Sequence, residues 1–539
     1  MFSFAHRVNV ASCAAGADLN ARGSLPQLLF LSQAIMHTET EEYAPVTVDA
    51  EQPAHPDVSS RTTLLAISFQ FVRRHWLALP SISVFLLIPC FWHRYIVAGD
   101  LDSHVYNAWL VQLIERGQAP GLWIAKQWDN VLFDMILSHL GNIFGLHAAE
   151  RIGVVLSVLI FFWGAFSLIA AATRHAPWFL IPCLAMLTFG WTFEMGFFNY
   201  YLSLGLSFFG LAIVWRGRGA ERLLALALVP LIWMAHPLGL FWFMGAAGYI
   251  TLARTASGRG QIFLLALAAV SLTILGRYLS IHFPSGWASI PGLAANGSDQ
   301  LLLLDEPRYR LPARLLLVFG LTCLLVDVFA QRRDRQTLKQ YSHPLQLYIV
   351  AIMGVSILPG AIQLPQFTSP ATLLTQRFSS IAAILACCLL GAMKPRKWHL
   401  IGFAGIAAIY FSFLYRDTST LVRIERQAER LVSTLPPGAR VSSATWTSSD
   451  IPLLSNHLVD RACVGRCFSY SNYEASSGQF RVRALPGNRI VASSAATSMA
   501  MQLGSYTVLP EDLPLFQIFF CHRNSTELCM RELPAGPPR

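Results

Sequence analysis

The chain has 539 residues, of which 54% are hydrophobic and only 13% are charged, and its mean hydropathy is +0.47. A soluble domain carries about 25% charged residues, so the composition excludes an ordinary soluble protein and indicates repeated membrane spans of roughly 20 apolar residues. The formal net charge of +10 comes from short basic runs between apolar segments. Such runs favour the lipid bilayer as a partner and argue against nucleic acid.

The N-terminal part lacks the features of a membrane segment. Residues 1–60 are polar and show no periodicity, and the apolar stretch 24–35 is too short to span a bilayer. We therefore expect a disordered cytoplasmic tail over 1–60, with Met36 as an alternative start of the chain. The first membrane-length stretch is 76–97, and the Arg73-Arg74 pair before it predicts that this span begins on the cytoplasmic side.

The stretch after this span, residues 98–150, is expected to be an outer loop with two interfacial helices. Segment 128–145 contains polar residues that oppose a membrane span, whereas its leucines and isoleucines recur at helical spacing on one face. Segment 103–116 has a similar apolar stripe. Helices of this kind lie in the membrane interface with their apolar face towards the lipid.

The basic runs decide between a crossing and an interfacial position for 128–145. If this segment lies flat, every basic run falls on the cytoplasmic side, with the amino terminus inside and the carboxyl terminus outside. If it crosses, the basic runs from Arg174 onward fall on the outer side instead. We therefore predict an all-α polytopic membrane domain over 61–415 with about eleven spans. The expected spans are 76–97, 151–172, 177–193, 197–215, 222–236, 238–253, 261–281, 312–330, 345–362, 377–393 and 398–415.

The tail over 416–539 is soluble in character and predicts a small α+β extracytoplasmic domain. It contains four cysteines, Cys463, Cys467, Cys521 and Cys529, whereas most of the others lie in apolar spans. An even number of cysteines in an oxidising compartment favours two disulfides. A zinc site of four cysteines is the alternative, although its usual paired C-x2-C spacing is absent.

Acidic residues follow the first span directly. The chain reads Gly99-Asp100-Leu101-Asp102-Ser103-His104-Val105-Tyr106, and the apolar helix after it ends in Glu115-Arg116-Gly117. Carboxylates at a membrane boundary lose hydration and gain little unless something binds or reacts there. This order of a span, an acidic motif, a tyrosine and a helix ending in glycine resembles the GT-C membrane glycosyltransferases that use polyprenyl-phosphate sugars. In many of those enzymes the loop opens with D-E-x-x-Y.

The resemblance implies a catalytic base within this motif. Ser103 stands in place of the second acid of the D-E pair, so the base falls best on Asp102, with Asp100 as the substitute. The alternative is that Asp102 or Ser103 is the N-cap of the following helix. His104 and Tyr106 are expected on the substrate side. The resemblance implies no cofactor, although the D-x-D spacing of the two acids permits a divalent metal.

Transfer from a lipid phosphate also needs cations that hold the departing phosphate. Arg277 and Arg377 lie near the outer ends of apolar spans, where an arginine marks a pathway or a pair unless it snorkels to the headgroups. Glu194 and Asn199, in an aromatic-rich outward turn, suit a sugar ring or the interfacial aromatic belt equally well. His236 lies at a hairpin tip. It either lines the same sugar-binding cavity as Glu194 and Asn199 or packs within the hairpin.

Together these features predict a membrane glycosyltransferase at the outer face of the cytoplasmic membrane. Its expected partners are a polyprenyl-phosphate-linked sugar and a glycan, lipid or protein acceptor. A transporter or flippase for a lipid-linked or polar solute is one alternative, and it would place essential charges at mid-bilayer within repeated halves. A non-catalytic envelope assembly protein is the other. It predicts that Asp102→Asn is silent, whereas deletion of 416–539 is not.

Overall fold

The structure is a computed structural model, and it describes residues 64–287, 294–304, 306–332, 335–365, 370–445, 457–522 and 525–534. The expected tail over 1–60 lies outside these residues. Within the described ranges most residues are helical. The α-helices are α1 Leu64–Arg74, α2 Ala78–Leu86, α3 Leu101–Glu115, α4 Leu132–Phe144, α5 Leu146–Thr173, α6 Ile181–Thr188, α7 Trp191–Glu194, α8 Phe198–Arg216, α9 Val229–Ala235, α10 Pro237–Ala253, α11 Gly258–His282, α12 Arg310–Gln331, α13 Arg335–Ile357, α14 Leu374–Gly391, α15 Lys397–Ser433, α16 Leu458–Cys463, α17 Glu474–Ser477 and α18 Ala495–Gln502.

Short strands and 3-10 turns connect these helices. The strands are β1 Leu122–Ile124, β2 Ser285–Gly286, β3 Ala361–Ile362, β4 Arg440–Ala444, β5 Phe468–Ser469, β6 Val482–Ala484, β7 Leu515–Phe520 and β8 Leu528–Glu532. The 3-10 turns are Ile88–Cys90, Trp178–Leu180, Gly219–Leu228, Ala294–Asn296, Ser298–Leu301, Pro307–Tyr309 and Pro510–Asp512. β2 and β3 form a small antiparallel pair that joins the loops after α11 and α13.

Among the described residues, six helices are long and apolar enough to cross a membrane: α5, α8, α11, α12 with the turn before it, α14 and α15. Helices α4 and α10 and the segment Trp178–Glu194 are apolar but shorter. Such a set of helices is what a helical membrane protein requires. The expected number of about eleven spans and their orientation stay predictions.

The first expected span, 76–97, is not one helix. Helix α2 ends at Leu86, a 3-10 turn follows at Ile88–Cys90, and the chain is irregular from there almost to α3. Pro89 lacks the backbone N–H that a further helical turn would need, so the helix ends at this point. The helical part lies earlier in the chain, in α1 and α2.

Close contact between α5 and α8 forms the centre of the helical core. A Cβ atom on Gly164 would lie 2.3 Å from the carbonyl oxygen of Gly205, so the two backbones meet only because both residues lack side chains. Next to this crossing, the ring of Phe161 stacks on Tyr201 with 4.2 Å between centroids. Small residues at a crossing allow this approach in membrane helices.

The two helices of the first loop form close to the expected positions, as α3 and α4. Most side chains of α3 are buried, on both of its faces. The apolar face packs on the helical core. The opposite face is covered by the described residues beyond α15, which we call the C-terminal segment. Strand β1 of the first loop also pairs with β6 of that segment, with Trp123 opposite Arg483. Helix α3 therefore lies inside the protein.

The C-terminal segment is a small α/β layer. Its sheet has the order β5-β4-β7-β8, in which β4 runs parallel to β5 and β7, and β8 is antiparallel. Helix α15 continues without a break across residue 416, the expected start of the soluble domain. Cys463 pairs with Cys467 and Cys521 with Cys529 at disulfide distance. The predicted disulfides are therefore confirmed, and the four cysteines do not form the alternative zinc site.

The α5–α8 crossing predicts a sharp difference between two glycine variants. Gly164→Ala should lower the melting temperature in detergent, because its methyl group must separate two backbones at a typical cost of about 1–3 kcal/mol. The matched control is Gly245→Ala on α10, where a Cβ meets no atom within 4 Å. Equal melting temperatures for the two purified variants would contradict this account of the core.

Candidate functional site

Asp100 lies at the entrance to α3 and is held there by its backbone. The N–H groups of Gly99 and Asp100 donate to the carbonyls of Glu194 and Met195, at 2.7 and 3.1 Å. Gly196 makes this approach possible, because it has a φ of +76° and its Cβ would lie 2.3 Å from the nitrogen of Asp100. The Asp100 side chain keeps 31% of its surface exposed, and its Oδ1 lies 3.8 Å from Nε2 of His457.

Asp102, the first choice for a base, is buried in an ion cluster. Its Oδ1 lies 2.7 Å from Nη2 of Arg461. The same guanidinium contacts Glu150 at 3.1 Å and Glu425 at 2.8 Å. Burial raises the pKa of Asp102 well above its usual range, an effect that the charge of Arg461 opposes. The two acids of the motif therefore differ: Asp100 remains partly exposed, whereas Asp102 belongs to an ion cluster that links α3 to α5, α15 and α16.

His104 is held by a carboxylate on the neighbouring helix. Its Nδ1 lies 2.7 Å from Oδ1 of Asp134, and Asn199 Nδ2 donates to the other oxygen of Asp134 at 2.8 Å. Burial alone would lower the pKa of His104, but the charge and hydrogen bond of Asp134, with the charges of Glu474 and Asp100, raise it to about 9. His104 is therefore a cation at neutral pH, and Asn199 positions its partner.

A second histidine of the same kind comes from the C-terminal segment. His457 Nδ1 lies 2.7 Å from Oδ2 of Asp460, which also accepts from Asn472 at 2.8 Å, while the hydroxyl of Ser469 donates to Oδ1 of Asp460. Burial would lower the pKa of His457, but Asp460, Asp100 and Glu474 raise it to about 9. Two carboxylate-bound imidazolium groups thus lie near Asp100.

The remaining polar residues of α3 fasten the C-terminal segment to it. Ser103 donates to Oε1 of Glu474 at 2.7 Å, and Asn107 donates to its Oε2. The hydroxyl of Tyr106 accepts from the backbone N–H of Ser469 at 2.9 Å. Burial raises the pKa of Glu474 to about 7. Tyr106, predicted on the substrate side, therefore serves in this structure as an anchor for the sheet.

Arg377 and His236 contact each other, and Arg377 also interacts electrostatically with Asp100. The Arg377 guanidinium lies 4.0 Å over the ring of Phe197, and its Nη1 is 3.3 Å from Nε2 of His236. Nδ1 of His236 accepts from the N–H of Leu238 at 3.1 Å, so a neutral His236 carries its proton on Nε2. Two donors then face each other. Among the described residues no carboxylate forms an ion pair with Arg377.

We call Asp100, His104, His236, Arg377 and His457, together with Tyr473 and Glu474, the polar cluster. Besides the contacts above, its members are linked by the electrostatic interactions of Arg377 with Asp100 and Tyr473. The ring of Tyr473 also lies 5.6 Å from that of His457. The arrangement offers one partly exposed carboxylate that can accept a proton and several donors that can bind an anion.

In the described part of the chain, no group of three or more His, Cys, Asp or Glu residues has an arrangement that would hold a metal ion.

Two predicted site residues lie elsewhere. Arg277 is on the exposed face of α11, a helix whose surface is almost wholly open. Glu194 is buried, where its Oε1 accepts from the N–H of Leu304 at 2.5 Å and its carbonyl holds Gly99. Sequence reasoning missed His457, Asp460 and Arg461. The available signal was that these three ionisable residues fall within the five positions 457–461, next to apolar residues.

The ion cluster predicts that Arg461 matters more for stability than Asp102 does. Arg461→Met leaves three carboxylates buried without a counter-charge and should cost about 3–5 kcal/mol. Asp102→Asn removes one of three acids that share one cation, so its effect on the melting temperature should be much smaller. The matched control is Arg94→Met, which breaks an exposed pair with Glu429. A melting temperature of Arg461→Met equal to that of this control would refute the assignment.

The raised pKa of His104 predicts a pH-dependent stability. A histidine with a pKa of about 9 in the folded state and an ordinary value of 6.5 stabilises the fold fully below pH 6.5. This stabilisation, on the order of 1–3 kcal/mol, is lost as the pH rises through about 9. Melting temperatures from about pH 6 to pH 10 should therefore fall more steeply in the wild type than in His104→Gln. Exposed His139→Gln should follow the wild type, and a parallel fall in all three proteins would contradict the prediction.

Comparison of the chain with protein-family models, with curated proteins and with solved structures gave no match. The proposed function therefore rests on the arrangement of the polar cluster alone.

Proposed function

We propose that the chain is a membrane glycosyltransferase of the GT-C type. It would move a sugar from a polyprenyl-phosphate carrier to a hydroxyl group of a glycan, lipid or protein acceptor. The observation that carries this proposal is the joint position of a partly exposed carboxylate, Asp100, and the guanidinium of Arg377, which interacts with it electrostatically and has His236 beside it. Base and phosphate clamp are the two functions that such a transfer needs.

The chemistry assigns one role to each group. Asp100 accepts the proton of the acceptor hydroxyl while that oxygen forms a bond to the anomeric carbon. The bond between the anomeric carbon and the phosphate oxygen breaks, and its electron pair leaves with the polyprenyl phosphate. Arg377 and His236 donate hydrogen bonds to the phosphate, which gains negative charge in this step. No redox partner is needed.

The base is Asp100 in this proposal, although the motif by itself favoured Asp102. A general base must come within hydrogen-bond reach of the proton that it takes. Asp102 is buried against Arg461 at 2.7 Å, whereas the carboxylate of Asp100 is partly open. The ion cluster gives Asp102 a full structural role that does not require contact with substrate.

The proposed location is the outer face of a cytoplasmic membrane, with the amino terminus in the cytoplasm. Disulfides form and persist in oxidising compartments, and the C-terminal segment contains two. The same segment pairs with the first loop through β1 and β6 and provides His457 and Glu474. The polar cluster would therefore lie on the oxidising side of the membrane.

The test is a turnover assay in proteoliposomes with a panel of radiolabelled polyprenyl-phosphate sugars. Asp100→Asn should lower product formation by at least about 100-fold, because a general base typically contributes that much. The matched control is Asp102→Asn, the same substitution two residues away, and this variant should remain active.

Equal product from the wild type and Asp100→Asn would exclude Asp100 as the base. Transport of the labelled lipid without sugar transfer would favour a flippase.

A further inference from the structure

We propose that the His457–Asp460 pair of the C-terminal segment positions Asp100 for catalysis. His457 is then a positioning residue that acts through Asp100, and the C-terminal segment is a part of the active site. This inference rests on the proposed glycosyl transfer. It extends the site to residues about 350 positions away from the acidic motif, which lies at 100–106.

The sheet of the C-terminal segment brings its polar residues to Asp100. Strands β4 and β5 run in parallel, so their carboxyl ends lie at the same edge. The chain that leaves β5 leads within a few residues to Tyr473 and Glu474, and His457 directly precedes α16. In open α/β sheets the functional groups gather outside the carboxyl ends of the strands. This edge of the sheet faces α3, since Ser469 bonds to Tyr106 and Glu474 to Ser103.

The orientation of His457 is fixed from behind. Its Nδ1 donates to Asp460, and Asp460 is in turn held by Asn472 and Ser469. The side chain of His457 is only 4% exposed, so its ring has little freedom to turn. Nε2 consequently faces Oδ1 of Asp100 at 3.8 Å, which is longer than a hydrogen bond. Catalytic contacts of this length commonly shorten when substrate closes the site.

The surrounding charges make His457 a cation. Asp460, Asp100 and Glu474 face it, and they raise its pKa to about 9. Asp102 and the ring of Tyr473 also lie close to it. An imidazolium beside Asp100 attracts one carboxylate oxygen and so fixes the direction of the other. That second oxygen is the one that the acceptor hydroxyl would meet.

The test is the pH dependence of kcat for Asp460→Asn in full-length protein in proteoliposomes. This change keeps the shape of the side chain but removes the charge that keeps His457 protonated. The alkaline limb of the profile should move down by about one to two pH units, with kcat near the wild-type value at about pH 6 and an unchanged KM for the donor. The matched control is Asp512→Asn, a buried acid of the same segment that bonds to Tyr470 and Tyr506. Its profile should keep the wild-type shape.

A second variant keeps the inference testable if Asp460→Asn does not fold. His457→Gln should lower kcat by about 10- to 100-fold with little change in KM. An Asp460→Asn profile that superposes on the wild type after scaling would overturn the inference, and so would a His457→Gln protein with wild-type kcat. Neither result affects the proposed function, which fails only if Asp100→Asn is as active as the wild type.

Discussion

One buried arginine holds the parts of this protein together. Arg461 lies among Asp102, Glu150 and Glu425, which come from α3, α5 and α15, and Arg461 itself belongs to α16. Three acids around one cation are stable only while the cation is present, because a buried charge without a partner is very costly. The contact therefore fixes the C-terminal segment against the first loop. The hydrogen bonds of Ser103 and Asn107 to Glu474 and the pairing of β1 with β6 add to this attachment.

The polar cluster is a consequence of that attachment. Once α16 is fixed by Arg461, His457 just before it faces Asp100 through Nε2, and Asp460 within it binds the other ring nitrogen of His457. The second carboxylate-bound histidine, His104, is held by Asp134 of α4, which in turn accepts from Asn199 of α8. Arg377 on α14 and His236 at the start of α10 lie next to each other. The site thus draws on segments far apart in the chain, and each is held by a buried hydrogen bond or ion pair.

The two acids of the motif show how tertiary structure divides similar residues. Both are aspartates at the start of one helix, two positions apart, and the sequence offers no ground for placing one in the interior. Asp102 lies in the first turn of α3 and contacts Arg461, whereas Asp100 precedes the helix, where the backbone of Glu194 and Met195 holds it. The proposed base is for this reason the residue that the motif ranked second.

The sequence by itself determined the helical membrane class, the two helices of the first loop and the disulfide-forming cysteines. Each of these follows from composition, local periodicity or residue count, which are properties of short stretches. It also singled out Asp100, His104, His236 and Arg377. Only the tertiary structure decided that Asp102 and Tyr106 are buried in contacts with the C-terminal segment, that Arg277 lies apart, and that His457, held by Asp460, lies beside Asp100. Contacts between residues hundreds of positions apart leave no periodic trace in one sequence, so they become visible only when the chain is folded.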